Sequence, residues 1–244
     1  MEQKSEPLQN KKIVIIGGSA GIGFAVAQAV AAKQAHVVIV SSNQERVNKA
    51  LETLPENSAG YAVDVTNETQ IQQLFETIGP FDHLVYTAGE NLMLGNVSDT
   101  DVAGARKFWD IRYWGAFAAV KHASTTINPG GSMVLTSGIA SNRPNAGWAL
   151  GASICAAMEG FTRAMAMELA PVRVNIVSPG VVTTDLWSNM PVSERDGFYA
   201  SVAGSLPVKH VGQAEEIARA YVYLMEQTFG TGQTVVVDGG GVLV

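Results

Sequence analysis

The feature that most constrains this chain is the alternation of short apolar runs, rich in valine and isoleucine, with longer segments of helical period. The runs are Lys12–Ile16, His36–Val40, Gly60–Val65, Asp82–Tyr86, Ser132–Thr136, Val172–Val177 and Gln233–Val237. Within them apolar and polar positions hardly alternate, which suits strands covered on both faces. The intervening segments, such as Ala156–Leu169 (AAMEGFTRAMAMEL), carry Ala, Leu, Met and Glu at helical spacing. Strand and helix in this order predict a doubly wound α/β domain with a seven-stranded, mostly parallel sheet and helices on both faces. Right-handed crossovers then gather the loops at the carboxyl ends of the strands, where ligands bind.

Composition narrows the setting. The 244 residues are 47% hydrophobic and 16% charged, enough to bury one sizeable core. No repeat or long linker interrupts the alternation, so the chain reads as a flexible polar tail over residues 1–10 and a single domain over 11–244. Sixteen basic against 22 acidic residues give a net charge of −6. That sign argues against nucleic acid or an anionic membrane as partner, because both are bound by clustered positive charge. A single cysteine, Cys155, excludes an internal disulfide framework and a cysteine-built metal site. His36, His83, His122 and His210 show no ligand spacing, and no metal is expected. The polar opening MEQKSEPLQNKK lacks the apolar core of a secretory signal, and no stretch suits a membrane span, so a cytoplasmic location is expected.

Directly after the first run comes Gly17-Gly18-Ser19-Ala20-Gly21-Ile22-Gly23, followed by the helical FAVAQAVAA. Glycines let the backbone turn tightly and approach a pyrophosphate, and the helix start offers free N–H groups and a positive dipole end to it. Gly17, Ser19, Gly21, Ile22 and Gly23 are therefore candidate dinucleotide contacts. The second run ends at Ser41-Ser42-Asn43. No carboxylate stands there to hold a ribose 2′-hydroxyl and repel a 2′-phosphate, while hydroxyls and an amide can bond a phosphate. NADP(H) is expected ahead of NAD(H).

Further motifs extend the pattern. They are Asp64-Val65, Tyr86-Thr87-Ala88-Gly89, Arg173-Val174-Asn175, Ser178-Pro179-Gly180 followed by Val182 and Thr184, and Val237-Asp238-Gly239-Gly240. With Gly17-x-x-x-Gly21-x-Gly23, they make the chain resemble the short-chain dehydrogenases/reductases over nearly its whole length. The resemblance implies a Rossmann-type fold. It implies that Asp64 and Val65 meet the adenine, that Thr87, Ala88 and Gly89 border the cofactor, and that Pro179, Gly180, Val182 and Thr184 cup the nicotinamide. It also implies a substrate lid at about 184–206 and a homodimer or homotetramer acting on a small molecule. The arginine that NADP-using relatives often carry is missing at Ala20 and at Ser42.

The same resemblance implies an Asn, a Ser and a Tyr-x-x-x-Lys at the active site. With Ala156–Gly160 aligned to the helix after that motif, the tyrosine position is Gly151 and the lysine position Cys155. The serine position is Gly138, with Ser137 beside it, and the asparagine position is Arg112. No tyrosine occurs between Tyr113 and Tyr199 and no lysine between Lys121 and Lys209, so no shift of alignment restores them. Hydride addition to a ketone creates an alkoxide that needs stabilisation and a proton, and these groups normally supply both. Three readings follow. The first is hydride transfer to an acceptor needing no tyrosine, such as an iminium ion or an enone. The second is a non-redox cyclisation beside a bound dinucleotide. The third is a silent cofactor-binding sensor. The first is the leading expectation.

Arg112, in FWDIRYWGAF, can hold a carboxylate or enolate oxygen but cannot donate a proton in the reaction, and it repels an iminium unless an acid offsets it. Glu90 is one candidate offset. The alternative for Arg112 is an ion pair with Asp110, Asp99 or Asp101 that only fixes its helix. Ser137 and Thr136 can present hydroxyls near the nicotinamide. Trp148, Trp187 and Tyr199 are candidate pocket walls. Tyr113 reads as structural, and Cys155, with no base or cation nearby in sequence, reads as a core residue.

Overall fold

The computed structural model describes residues 7–89 and 92–244. Seven strands form one sheet: β1 (Lys12–Ile16), β2 (His36–Ser41), β3 (Ala59–Ala62), β4 (Phe81–Tyr86), β5 (Ile127–Thr136), β6 (Arg173–Pro179) and β7 (Thr234–Val237). Their order is β3-β2-β1-β4-β5-β6-β7 and every pairing is parallel. The pleat divides β1 between two cores. Ile13 and Ile15 point to one face, under α1 (Gly21–Ala31), α2 (Gln44–Leu51) and α8 (Ala214–Glu226). Val14 and Ile16 point to the other, under α3 (Glu68–Ile78), α5 (Ala116–Ala123) and α6 (Ala149–Glu168). All four side chains are at most 1% exposed, which is why the run shows no alternation in sequence. Strand order reverses between β1 and β4, and the crevice at their carboxyl ends is where a doubly wound sheet binds ligands.

Three details depart from the sequence expectations. The third run leaves the sheet after Ala62, because the Asp64 carboxylate accepts bonds from both the N–H and the hydroxyl of Thr66 (2.9 and 2.8 Å) and turns the chain. Residues 7–10, expected to belong to the tail, form a turn whose Leu8 is fully buried against the α1 side of the sheet. The helix carrying Arg112 is not continuous. α4 (Val102–Trp109) passes into one π-helical turn, Asp110–Gly115, before α5 begins. Among the described residues no helix is long and apolar enough to cross a membrane, and no group of three or more His, Cys, Asp or Glu is placed to hold a metal.

His83 in β4 is 5% exposed and its Nδ1 lies 2.8 Å from Ser132 Oγ. Burial, with Arg173 and Lys11 nearby, outweighs the pull of Asp82 and pushes its pKa from 6.5 down to about 4. Below pH 6.5 the unfolded chain takes up a proton that the folded chain refuses until about pH 4. Stability should therefore fall as pH drops through that window, by up to about 3 kcal/mol. Thermal unfolding measured from pH 7 to 4.5 should show this decline, and His83→Asn should flatten it.

Candidate active site

The glycine-rich turn is built by close packing. Gly17 adopts φ +89°, and a Cβ there would lie 2.6 Å from both Ala88 N and Thr87 Oγ1. A Cβ on Gly23 would run into Gly17 O and Thr87 Oγ1. Gly17 N and Gly18 N both donate to Val40 O, at 2.8 and 3.2 Å, which pins the turn to β2. Thr87 Oγ1 lies 3.2 Å from Ile16 O and 3.3 Å from Gly17 O, which pins it to β4. The start of α1 is left open: Ala20 provides no side-chain cap and the first turn holds no acid. Unsatisfied N–H groups and a positive dipole end suit a pyrophosphate. Ser19, Gly21 and Ile22 lie half-exposed along this rim, with Thr184 above it: its Cγ2 is 3.4 Å from where a Gly21 Cβ would be.

The neighbouring cofactor candidates follow the same edge. Ser41 ends β2, Ser42 is exposed, and Asn43 caps α2, its Oδ1 accepting from Arg46 N at 2.9 Å. The Asn43 amide N–H groups remain as donors. Arg46, in the first turn of α2, is exposed on this edge, a cation close to the positions 20 and 42 that lack an arginine. Asp64 Oδ1 is bound by Thr66, and Val65 is buried. On the other side of the crevice Pro179 ends β6, and Gly180 packs so closely on Asp238 that a Cβ would stand 2.8 Å from its Cα. Val182 is buried, and its carbonyl accepts from Trp187 Nε1 at 3.1 Å.

Arg112 lies against Gly89. A Cβ on that glycine would fall 2.8 Å from the guanidinium carbon, so the arginine fills the space that a side chain would need. Its Cζ also stands 5.8 Å from the Phe108 ring centroid, a cation–π contact. The π-helical turn places it: one extra residue per turn rotates Arg112 relative to the α4 face, a device frequent at functional sites. Asp101 caps α4 through Gly104 N (2.7 Å) and Asp99 accepts from Ser98 (3.2 Å). Tyr113 packs edge-on against Trp114 at 5.0 Å and near Phe161 at 5.9 Å, a structural position. Glu90, the candidate offset for Arg112, lies outside the described residues.

The four positions that the resemblance assigns to catalysis hold Arg112, Gly138, Gly151 and Cys155. Among the described residues, none beyond the backbone of α6 itself comes within 4 Å of where a Cβ on Gly151 would be. A Cβ on Gly138 would lie 3.3 Å from Cys155 Sγ, so the serine and lysine positions pack on each other. Burial pushes the Cys155 thiol above its usual pKa; the Ser137 hydroxyl and the Arg112 guanidinium pull it down and Glu159 pushes it up. A thiol in that state is neither base nor nucleophile at neutral pH. Both candidate hydroxyls have partners within the protein. Thr136 Oγ1 lies 2.6 Å from both Tyr86 O and Tyr221 OH on the α8 side. Ser137 Oγ lies 2.9 Å from Glu159 Oε1 and 3.2 Å from Cys155 O, on the α6 side.

Glu159 is the residue that the sequence reading missed. Ser141 Oγ donates to the same Oε1 at 2.7 Å, so hydroxyls from the end of β5 and from the loop after it converge on one carboxylate oxygen. The signal was present. Gly151, Cys155 and Glu159 are spaced i, i+4, i+8 and share one face of α6, and helical side chains lean toward the N-terminus.

The pocket candidates separate. Trp187 is 5% exposed and its ring stacks 4.7 Å from Phe198 on α7 (Val192–Ser205), which continues to Tyr199 at 5.9 Å. Burial raises the Tyr199 phenol pKa, opposed by Arg195 and by a hydrogen bond to the Thr184 backbone. Trp148 stands at the N-terminus of α6 and makes no ring contact with either among the described residues. Beside it an apolar cavity of about 190 Å³ opens between Met93, Val97, Val102, Ala105 and Leu150.

Comparison with known proteins gives this geometry relatives. The family model described as enoyl-(acyl carrier protein) reductase matches residues 17–241. A short-chain dehydrogenase/reductase, ucsE, of an Acremonium species is 33% identical, with 98% of each chain covered. The crystal structure of a small-chain dehydrogenase in complex with NADPH superposes with a TM-score of 0.86 at 35% identity, covering 97% of this chain and 100% of that one. The MalC reductase/Diels-Alderase of Malbranchea aurantiaca superposes with a TM-score of 0.91 at 26% identity, covering 99% and 100%.

Proposed function

Since this chain belongs to the short-chain dehydrogenase/reductase family, we propose that it is an NADP(H)-dependent oxidoreductase that transfers hydride to an acceptor needing no tyrosine proton donor, an iminium ion or a conjugated enone. One observation carries this reading: the close-packed glycine turn is kept, while the tyrosine position is Gly151 and the lysine position is a half-buried neutral thiol. When bound, the reduced nicotinamide supplies the hydride. The chain's own residues bind and orient. The open start of α1 holds the diphosphate, and Ser41, Ser42 and Asn43 offer donors to a 2′-phosphate with no carboxylate to repel it. Pro179, Gly180, Val182 and Thr184 border the nicotinamide side. Arg112 keeps its proton throughout, so it stabilises an oxygen without protonating it. An iminium needs no proton, because hydride addition already gives a neutral amine.

The NADPH-bound relative supports the choice of NADP(H). The relative that is both a reductase and a Diels-Alderase favours, as a second reading, cyclisation in the same pocket. NADPH deuterated at the transferred position separates the two. Deuterium in the product supports the hydride reading, and an unlabelled cyclised product with NADPH unconsumed supports the second. A homodimer or homotetramer is part of the same proposal, formed through α6 and the neighbouring π-helical turn and α5, where Trp114 and Phe117 are 56% and 42% exposed; light scattering would give its mass.

A further inference from the structure

We infer that Glu159 is the specificity-determining residue of this site, a fixed negative charge that selects cationic acceptors over neutral ones. The inference rests on the hydride reading only for its substrate class. The residue at 155 is a neutral, half-buried thiol where the family carries an ammonium, and a carboxylate comes from the next turn of α6. The local charge is therefore inverted. Glu159 Oε1 is held by two hydroxyls, Ser137 at 2.9 Å and Ser141 at 2.7 Å, while Oε2 makes no hydrogen bond among the described residues. One oxygen is anchored and the other is unengaged.

The charged groups felt at Cys155 are Glu159 itself and Arg112, which approaches from the end of β4 at Gly89. The anion and the cation thus come from different elements, and Glu159 supplies the opposite charge that an iminium requires near Arg112. A role confined to fastening the loop to α6 needs only the two hydrogen bonds, not the charge. The two roles are separable for that reason.

Glu159→Gln keeps an oxygen to accept from Ser137 and Ser141 and removes the charge; Glu159→Ala removes both. The probes are tetrahydroisoquinoline, protonated at neutral pH, and isochroman, its neutral oxygen isostere, each titrated calorimetrically into the protein with NADP⁺ present. The expected result is a preference for the amine of at least about tenfold in Kd, abolished in both variants, with NADPH affinity unchanged in Glu159→Gln. A wild-type protein without that preference overturns the inference. So does a glutamine variant that keeps the preference, or one that loses NADPH binding, since the carboxylate then serves the fold. An intact preference with no hydride transfer to any iminium sinks the hydride reading alone and leaves Glu159 as the charge selector.

Discussion

Replacing Gly23 with alanine is expected to weaken dinucleotide binding at least about a hundredfold. The added Cβ would meet Gly17 O and Thr87 Oγ1 together, two atoms already in contact at 3.3 Å. Relieving the overlap means separating β1's turn from the end of β4, and those are pinned by Thr87 and by the bonds to Val40 O. Overpacking of this kind costs about 3 kcal/mol where nothing can give. NADPH Kd should therefore rise at least about a hundredfold. Gly197→Ala is the control. A Cβ there meets nothing within 4 Å and the site is exposed on α7, so helix propensity alone acts and stability rises by up to about 1 kcal/mol. Calorimetric NADPH titration and thermal unfolding of both variants check the pair. A Gly23→Ala protein that binds NADPH normally would show that the turn does not hold the diphosphate.

Arg112→Ala should lower kcat/KM on the natural acceptor by about 10²–10³ while leaving NADPH affinity intact, the size of effect seen when one electrostatic donor to a developing charge is removed. The guanidinium sits on the π-helical turn against Gly89, away from the start of α1, so cofactor binding has no reason to change. Arg112→Lys keeps the charge but loses the planar fork and its stacking on Phe108, and should recover only part of the rate. If both activity and binding survive the alanine replacement, the arginine only holds its helix.

The strands were legible because both faces of the sheet are covered. Ile13–Ile16 are buried without alternation, and that pattern exists in the sequence before any fold does. The glycine turn was legible for a similar reason, since only glycine satisfies φ +89° at Gly17 and the contact at Gly23. The end of β3 was not, because Val63 and Val65 stay buried after leaving the sheet and an apolar run does not say which neighbour it packs on. The π-helical turn was hidden as well: one extra residue in a short aromatic helix leaves no periodic mark. Glu159 was overlooked because a carboxylate among small residues on a helix reads as solvated. Its partners lie 18 and 22 residues away, and only the packing of α6 on the end of β5 brings them to it. The missing tyrosine and lysine, by contrast, were plain in sequence, because an absent residue type cannot be supplied by folding.

Hydride delivery without a proton donor is the step on which the proposed function rests. The most direct measurement gives the purified protein NADPH with either N-methyl-3,4-dihydroisoquinolinium or α-tetralone, a cationic acceptor and a ketone of closely similar shape, and follows cofactor consumption and product. The expected result is turnover of the iminium with kcat/KM for the ketone lower by at least about 10³, the scale of a missing general acid. Turnover of the ketone at a rate equal to or above that of the iminium would contradict the account.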